Sequence, residues 1–169
     1  MKYHIRLAKK DDIKNVIDLA SEMAILSKSP FRTGTDNDTV AAYRRKDLQS
    51  LYSAINNPDF AVFIAESLEG DFLGHVLVMN NHQESSTGEM QGFVFDLSVK
   101  SQYQGLGIGR ELMNSAEMFC QIGGMPNICL NVTASNEKAV NFYKAIGYSE
   151  ERKQMIKNLK PGQDAGKNV

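Results

Sequence analysis

One stretch of the chain concentrates residues suited to holding an anionic ligand: Asp96-Leu97-Ser98-Val99-Lys100-Ser101-Gln102-Tyr103-Gln104-Gly105-Leu106-Gly107-Ile108-Gly109-Arg110. Its glycines stand at every second position from 105 to 109. Positions without a Cβ let the backbone come close to a ligand. The apolar residues Ile108, Leu112, Ala116 and Phe119 then recur at helical spacing, so a helix starts within the loop. The first turn of a helix leaves its N–H groups unpaired at the positive end of the dipole, which favours anions. A phosphate-bearing ligand is the natural guest, with Lys100 and Arg110 as flanking cations. Two familiar phosphate loops fail on spacing. No Gly-x-x-x-x-Gly-Lys-Ser/Thr run exists, and Arg110 stands where a Gly-x-Gly-x-x-Gly fingerprint needs its third glycine.

The elements that must position this loop follow from periodicity. Tyr3, Ile5 and Leu7 alternate as in a strand. Asp11 or Asp12 can cap a helix whose apolar face is Ile13, Val16, Ile17, Ala20 and Ala24. Residues 27–38 read as a loop, and 39–55 as a second helix with Leu48, Leu51, Tyr52 and Ile55 inward. Residues 60–66 and 72–79 flank Glu69-Gly70-Asp71 and predict an antiparallel hairpin, followed by a polar loop over 80–88. Strand 90–99 alternates Phe93, Phe95, Leu97 and Val99 on one face with Val94, Asp96 and Ser98 on the other. After the glycine-opened helix come a strand at 128–132, a helix capped by Ser135 and closed by Gly147, and a last strand within 148–159, centred on 155–159. Alternating strands and helices around a central hairpin predict an α/β sandwich on a mixed sheet.

Composition narrows the function classes. The chain has 169 residues, with 19 Lys and Arg against 20 Asp and Glu, for a formal net charge of -1. A duplex-DNA binder usually carries a strong positive excess, so no nucleic-acid partner is expected. No apolar run approaches the ~20 residues of a membrane span, and residues 1–6 lack the apolar core of a signal peptide. Two cysteines, Cys120 and Cys129, are too few for a disulfide framework, which makes a reducing cytoplasm the expected location. A single domain over 1–159 is expected, with 160–169 a flexible polar tail. His4, His75 and His82 show no metal-ligand spacing, so no metal is expected. Arg44-Arg45-Lys46 reads as a solvated helix face.

Gln104-x-x-Gly107-x-Gly109 resembles the Arg/Gln-x-x-Gly-x-Gly/Ala signature of the GNAT (Gcn5-related N-acetyltransferase) family. Asp96-Leu97-Ser98-Val99 is similar to the strand before that signature, and Leu130 to Tyr148 is similar to the family's second block. The order of strands agrees from about Ile5 to Leu159. The resemblance implies a mixed, mostly antiparallel central sheet flanked by helices, with a splayed cleft for acetyl-CoA. It implies an acyl-CoA-dependent N-acetyltransferase that passes acetyl to a primary amine by direct attack in a ternary complex. The backbone of Gln104, Gly105, Leu106, Gly107, Ile108 and Gly109 would cradle the pyrophosphate, with Arg110 beside it. Leu97, Ser98 and Val99 would line the pantetheine arm, and an N–H near Leu97 would polarise the thioester carbonyl. Asn136 resembles a ligand-contacting asparagine, although a helix-end residue with no ligand fits equally. Tyr143 stands where the family's tyrosine protonates the leaving thiolate.

The general base is open. Phe93 and Phe95 occupy the positions where some family members carry glutamate, which leaves Asp96, then Glu89, or a water relay. Asp96 also reads as a structural carboxylate. The acceptor is a small-molecule or peptide amine, expected over residues 27–38, the second helix and residues 80–88, and homodimers are frequent in the family. Two other classes compete: a catalytically silent acetyl-CoA-binding regulatory module of the same fold, and an unrelated nucleotide-binding α/β domain.

Overall fold

A computed structural model of the chain describes residues 1–159. The expected tail at 160–169 lies outside the described residues. In order, the elements are β1 (Tyr3–Leu7), α1 (Ile13–Leu26), α2 (Asn37–Asp47), α3 (Leu51–Ala54), β2 (Phe60–Ser67), β3 (Phe72–Gln83), β4 (Met90–Val99), α4 (Ile108–Ile122), β5 (Ile128–Leu130) and α5 (Glu137–Ala145). The strands make one open sheet in the order β1-β2-β3-β4-β5. Neighbours from β1 to β4 run antiparallel, and β5 joins β4 in parallel. This is the mixed, mostly antiparallel α/β architecture expected from the sequence.

Period-two alternation in β2 sends Val62 and Ile64 to one face and Ala61 and Ala65 to the other, and all four are buried. On the first face Ile13, Val16, Ile17 and Ala20 of α1 pack with Val62, Ile64 and Leu77. On the second, Ile108, Leu112, Met113 and Ala116 of α4 pack with Ala61, Ala65, Val76, Val78 and Val94. Each fully buried large side chain contributes roughly 1.5–3 kcal/mol, so the two helices are clamped to the sheet that positions the glycine loop.

Several expectations are corrected. The helix over 39–55 is broken by a 3-10 turn at Leu48–Ser50. Residues three apart eclipse in such a turn, so Leu48 and Leu51 both reach the core at 5% and 4% exposed, while Tyr52 turns outward at 38%. Asn136, not Ser135, caps α5, its side-chain oxygen accepting from the Ala139 amide at 3.2 Å. The strand β3 runs on to Gln83, and β5 stops at Leu130. The expected last strand is absent: residues 148–159 are irregular. Met155 and Leu159 are exposed there, so the alternation buries no face; Tyr148 packs on the α4-side core, and beyond it Arg152 pairs with Glu84 and Glu150 with Lys144.

The largest correction concerns β4. Its register against β3 shifts between Leu77 and Val78, where Val94 and Asp96 face successive β3 residues and Phe95 is left over as a bulge. One extra residue reverses the alternation on either side of it. Val94 therefore shares the α4-side core with Leu97 and Val99. The Phe93 and Phe95 rings lie 4.9 Å apart, and Phe95 lies 6.1 Å from Phe60, which packs on the α1-side core. The predicted Phe/Leu face is split between the two sides of the sheet.

Candidate functional site

At the C-terminal end of β4 the sheet opens. The short β5 pairs only with Gly92, Phe93 and Val94, so β4 from Phe95 to Val99 has no neighbour on that side among the described residues. Lys100 donates its N–H to the Leu73 carbonyl at 2.9 Å. By the antiparallel alternation, Ser98 and Asp96 also turn their backbone groups to β3, and Leu97 and Val99 turn theirs to the open edge. This edge is a strand template for an extended guest.

The loop continues from that edge. Gly105 and Gly107 adopt φ of 81° and 83°, left-handed values that a side chain disfavours. Gly107 is the N-cap of α4, and its carbonyl accepts from the Arg110 and Glu111 amides at 3.0 and 3.2 Å. The amides of Gly105, Leu106, Gly107, Ile108 and Gly109 have no hydrogen-bond partner among the described residues. Five successive N–H groups at a helix N-terminus form an anion-binding concavity. Gln104 staples the loop to the strand: its Nε2 donates to the Val99 carbonyl at 3.0 Å, and its Oε1 accepts from Lys138 Nζ of α5 at 2.6 Å. Arg110 is exposed beside the row, whereas the Lys100 ammonium sits 5.6 Å from the Phe72 ring centre.

From the other side α5 brings Tyr143 towards the same region, its ring packed between Phe142 and Tyr148 at 5.2 and 5.8 Å. Among the described residues nothing hydrogen-bonds its hydroxyl, so its proton is available to a guest. Burial, helped by the negative charge of Asp96, pushes the phenol pKa up to about 12 and keeps it a proton donor. Asn136 spends its side-chain oxygen on capping α5.

Asp96 is tied on several sides. Its Oδ1 is bonded to His75 Nε2 at 2.9 Å and accepts from Ser98 Oγ at 2.7 Å, and its Oδ2 accepts from Arg44 at 2.8 Å. Burial acts to raise its pKa, but the hydrogen bonds and charges of His75, Arg44 and Ser98 outweigh it and hold the carboxyl down at about 2. Glu89 lies just before β4, exposed, with Asn127 donating to it at 3.5 Å, about 25 Å along the strand from Leu97. Cys120 is buried, and its thiol is pushed up to about 11 by that burial, so neither its location nor its ionisation suits a nucleophile.

Sequence reasoning passes over Arg44 and His75. Arg44 belongs to the expected solvated run, yet it reaches a strand 52 residues on, while Arg45 pairs with Asp18 as a surface residue would. His75 is fully buried beside Asp96, with Nδ1 unpartnered. A histidine within the apolar run of β3 and an aspartate within β4 are the available signals, but only the strand register brings them together.

Residues 23–148 match the model of the acetyltransferase (GNAT) family, and the chain belongs to that family. An N-alpha-acetyltransferase of Sulfurisphaera tokodaii is 24% identical over 154 residues, spanning 88% of this chain and 81% of the relative. A candidate acetyl transferase from Pyrococcus furiosus superposes with a TM-score of 0.78 at 23% identity, covering 94% of this chain and all of the other. The structure of AAC(6')-Iy with the bisubstrate analogue CoA-S-monomethyl-acetylneamine superposes with a TM-score of 0.67 at 15% identity, over 95% and 99% of the two chains. No helix among the described residues is long and apolar enough to cross a membrane.

Proposed function

We propose that the protein is an N-acetyltransferase that moves acetyl from acetyl-CoA to a primary amine by direct attack in a ternary complex. The observation that carries this reading is the continuity of two backbone surfaces: the unpartnered amide row from Gly105 to Gly109 and the strand edge at Leu97 and Val99, which no strand covers among the described residues and where only the Val99 carbonyl is taken, by Gln104. The first suits a pyrophosphate, and the second suits an extended arm with amide groups of its own, so the residues present fit coenzyme A. Acetyl-CoA, when bound, supplies an activated thioester.

The chain's own residues then divide the work. The amides of Gly105 to Gly109 hold the phosphates. The Val99 and Leu97 backbone aligns the arm, and the Leu97 N–H polarises the carbonyl as negative charge builds on it, a contribution of about 3 kcal/mol for one well-placed donor. Tyr143, held protonated, donates to the departing thiolate. Asp96 is a poor base: moving a proton to a carboxyl near 2 is uphill by roughly 8 kcal/mol from an alpha-ammonium of pKa ~8 and roughly 11 kcal/mol from a side-chain ammonium of pKa ~10. We assign the amine proton to bulk solvent, relayed by ordered water so that the amine attacks as its free base, and keep Asp96 as a fixed negative charge near Tyr143.

The acceptor approaches from the α1–α2 connection and the β3–β4 loop, and an alpha-amine is the first to try, since the Sulfurisphaera tokodaii relative is an N-alpha-acetyltransferase. The test is calorimetric titration with acetyl-CoA, followed by an amine panel read by mass spectrometry for a gain of one acetyl group. Binding with turnover supports the reading. Binding without turnover on any amine assigns the chain to a silent acetyl-CoA-binding module, and the absence of heat at millimolar ligand removes the reading altogether.

A further inference from the structure

We propose that Arg44 is a positioning residue of the transfer: one guanidinium on α2 fixes the β4 bulge, and so sets where the open-edge amide of Leu97 points. The inference rests on the acyl-transfer reading of that edge. Arg44 makes three hydrogen bonds in two directions. Towards its own helix it bonds Asp47 Oδ2 at 2.9 Å. Towards β4, one nitrogen donates to the Phe95 carbonyl at 3.2 Å and to Asp96 Oδ2 at 2.8 Å.

Phe95 is the bulged residue, so its carbonyl has no place in the regular ladder to β3. Without a donor it would be the weakest point of the strand. The bulge sits two residues before Leu97 and inverts the alternation there, so any swing of residues 95–96 is passed to the Leu97 amide. The carboxylate of Asp96 is braced from the opposite side by His75 and Ser98. The clamp therefore grips the bulge between a helix and the buried part of the sheet. The Arg44 side chain is only 21% exposed, and the two arms of its fork hold Asp47 on one side and the Phe95 carbonyl with Asp96 on the other, a span that a single ammonium on a flexible stem does not reproduce. Nothing in the clamp touches the glycine loop, whose bonds run through Gln104 and Lys138.

The test compares Arg44→Gln and Arg44→Lys with the unaltered protein in three measurements: acetyl-CoA affinity by calorimetry, kcat on the best amine of the panel, and amide hydrogen exchange at Asp96 and Ser98 in the free protein. Arg44→Gln is expected to lower kcat at least tenfold while acetyl-CoA Kd stays within about threefold, because misplacing one donor by a fraction of an ångström costs on this scale. Arg44→Lys keeps the charge and is expected to fall between. Exchange at Asp96 and Ser98 is expected to speed up at least tenfold in Arg44→Gln, with Val62 and Ile64 unchanged. An unchanged kcat in a folded Arg44→Gln protein overturns the proposal, as does a parallel loss of Kd and kcat, which a merely structural role produces. Should Arg44→Gln fail to fold, Arg44→Lys decides on the same criteria. If the unaltered protein turns over no amine, the acyl-transfer reading fails by itself, and unchanged exchange in the variants then separately overturns the clamp.

Discussion

Replacing Asp96 by asparagine keeps the shape of the side chain and removes its charge. The Asp96 carboxyl is held at about 2 against an ordinary value of 3.8. That difference corresponds to roughly 2–3 kcal/mol of stability at neutral pH. Because the folded-state pKa lies below the unfolded one, the contribution is complete well above pH 4 and drains away as pH falls through 4 towards 2. About half remains at pH 3. In Asp96→Asn the amide nitrogen must face one of the present donors, which adds to the loss, while partial rehydration of the Arg44 side chain, 21% exposed, offsets some of it, so about 2 kcal/mol is the working figure. For a chain of this size each kcal/mol moves Tm by ~2–4 °C, which predicts a fall of about 4–8 °C at pH 7. Thermal unfolding of both proteins by circular dichroism from pH 7 to pH 3 reads the gap directly. A gap below about 1 °C at pH 7 would refute the reasoning, and so would a gap that stays constant down to pH 3, since the loss would then come from packing rather than from charge.

Three further outcomes are expected. Gly107→Trp should abolish acetyl-CoA binding in calorimetry with the protein still folded: a Cβ there meets only the Tyr3 hydroxyl, at 3.8 Å, so the cost to the fold is about 1–2 kcal/mol of left-handed backbone strain. Retained micromolar affinity contradicts the phosphate-loop assignment. Tyr143→Phe should lower kcat by roughly 100-fold with acetyl-CoA affinity preserved, and an unaltered rate across the amine panel removes the phenol from the reaction. Gly92→Val should lower Tm by several degrees, because even a Cβ at that position would fall within the Cys120 side chain of α4, and overpacking costs ~1–3 kcal/mol. Unchanged melting would show that α4 can shift away from β4.

The elements whose reasons are local are legible in the sequence. The hairpin at Gly70, the amphipathic face of α1 and the glycine-opened start of α4 each rest on the periodicity or turn chemistry of neighbouring residues, and each stands where those patterns place it. The second helix and the last strand depart from their patterns where local preference competes with tertiary demands. A 3-10 turn lets Leu48 and Leu51 share the core, and Met155 and Leu159 alternate without a surface to cover. A bulge has no composition signature, so the side of the sheet on which Phe93 and Phe95 lie is not written in the chain's alternation.

The order of residues along the chain determines the loop, its left-handed glycines and the helix whose first amides it exposes, because these depend on contacts a few residues apart. The meeting of Arg44, His75 and Asp96 depends on how α2 lies over the sheet and on the pairing of β3 with β4. Long-range register is a property of the whole packed core, and it converts a surface-looking arginine and an isolated histidine into the holders of one largely buried carboxylate.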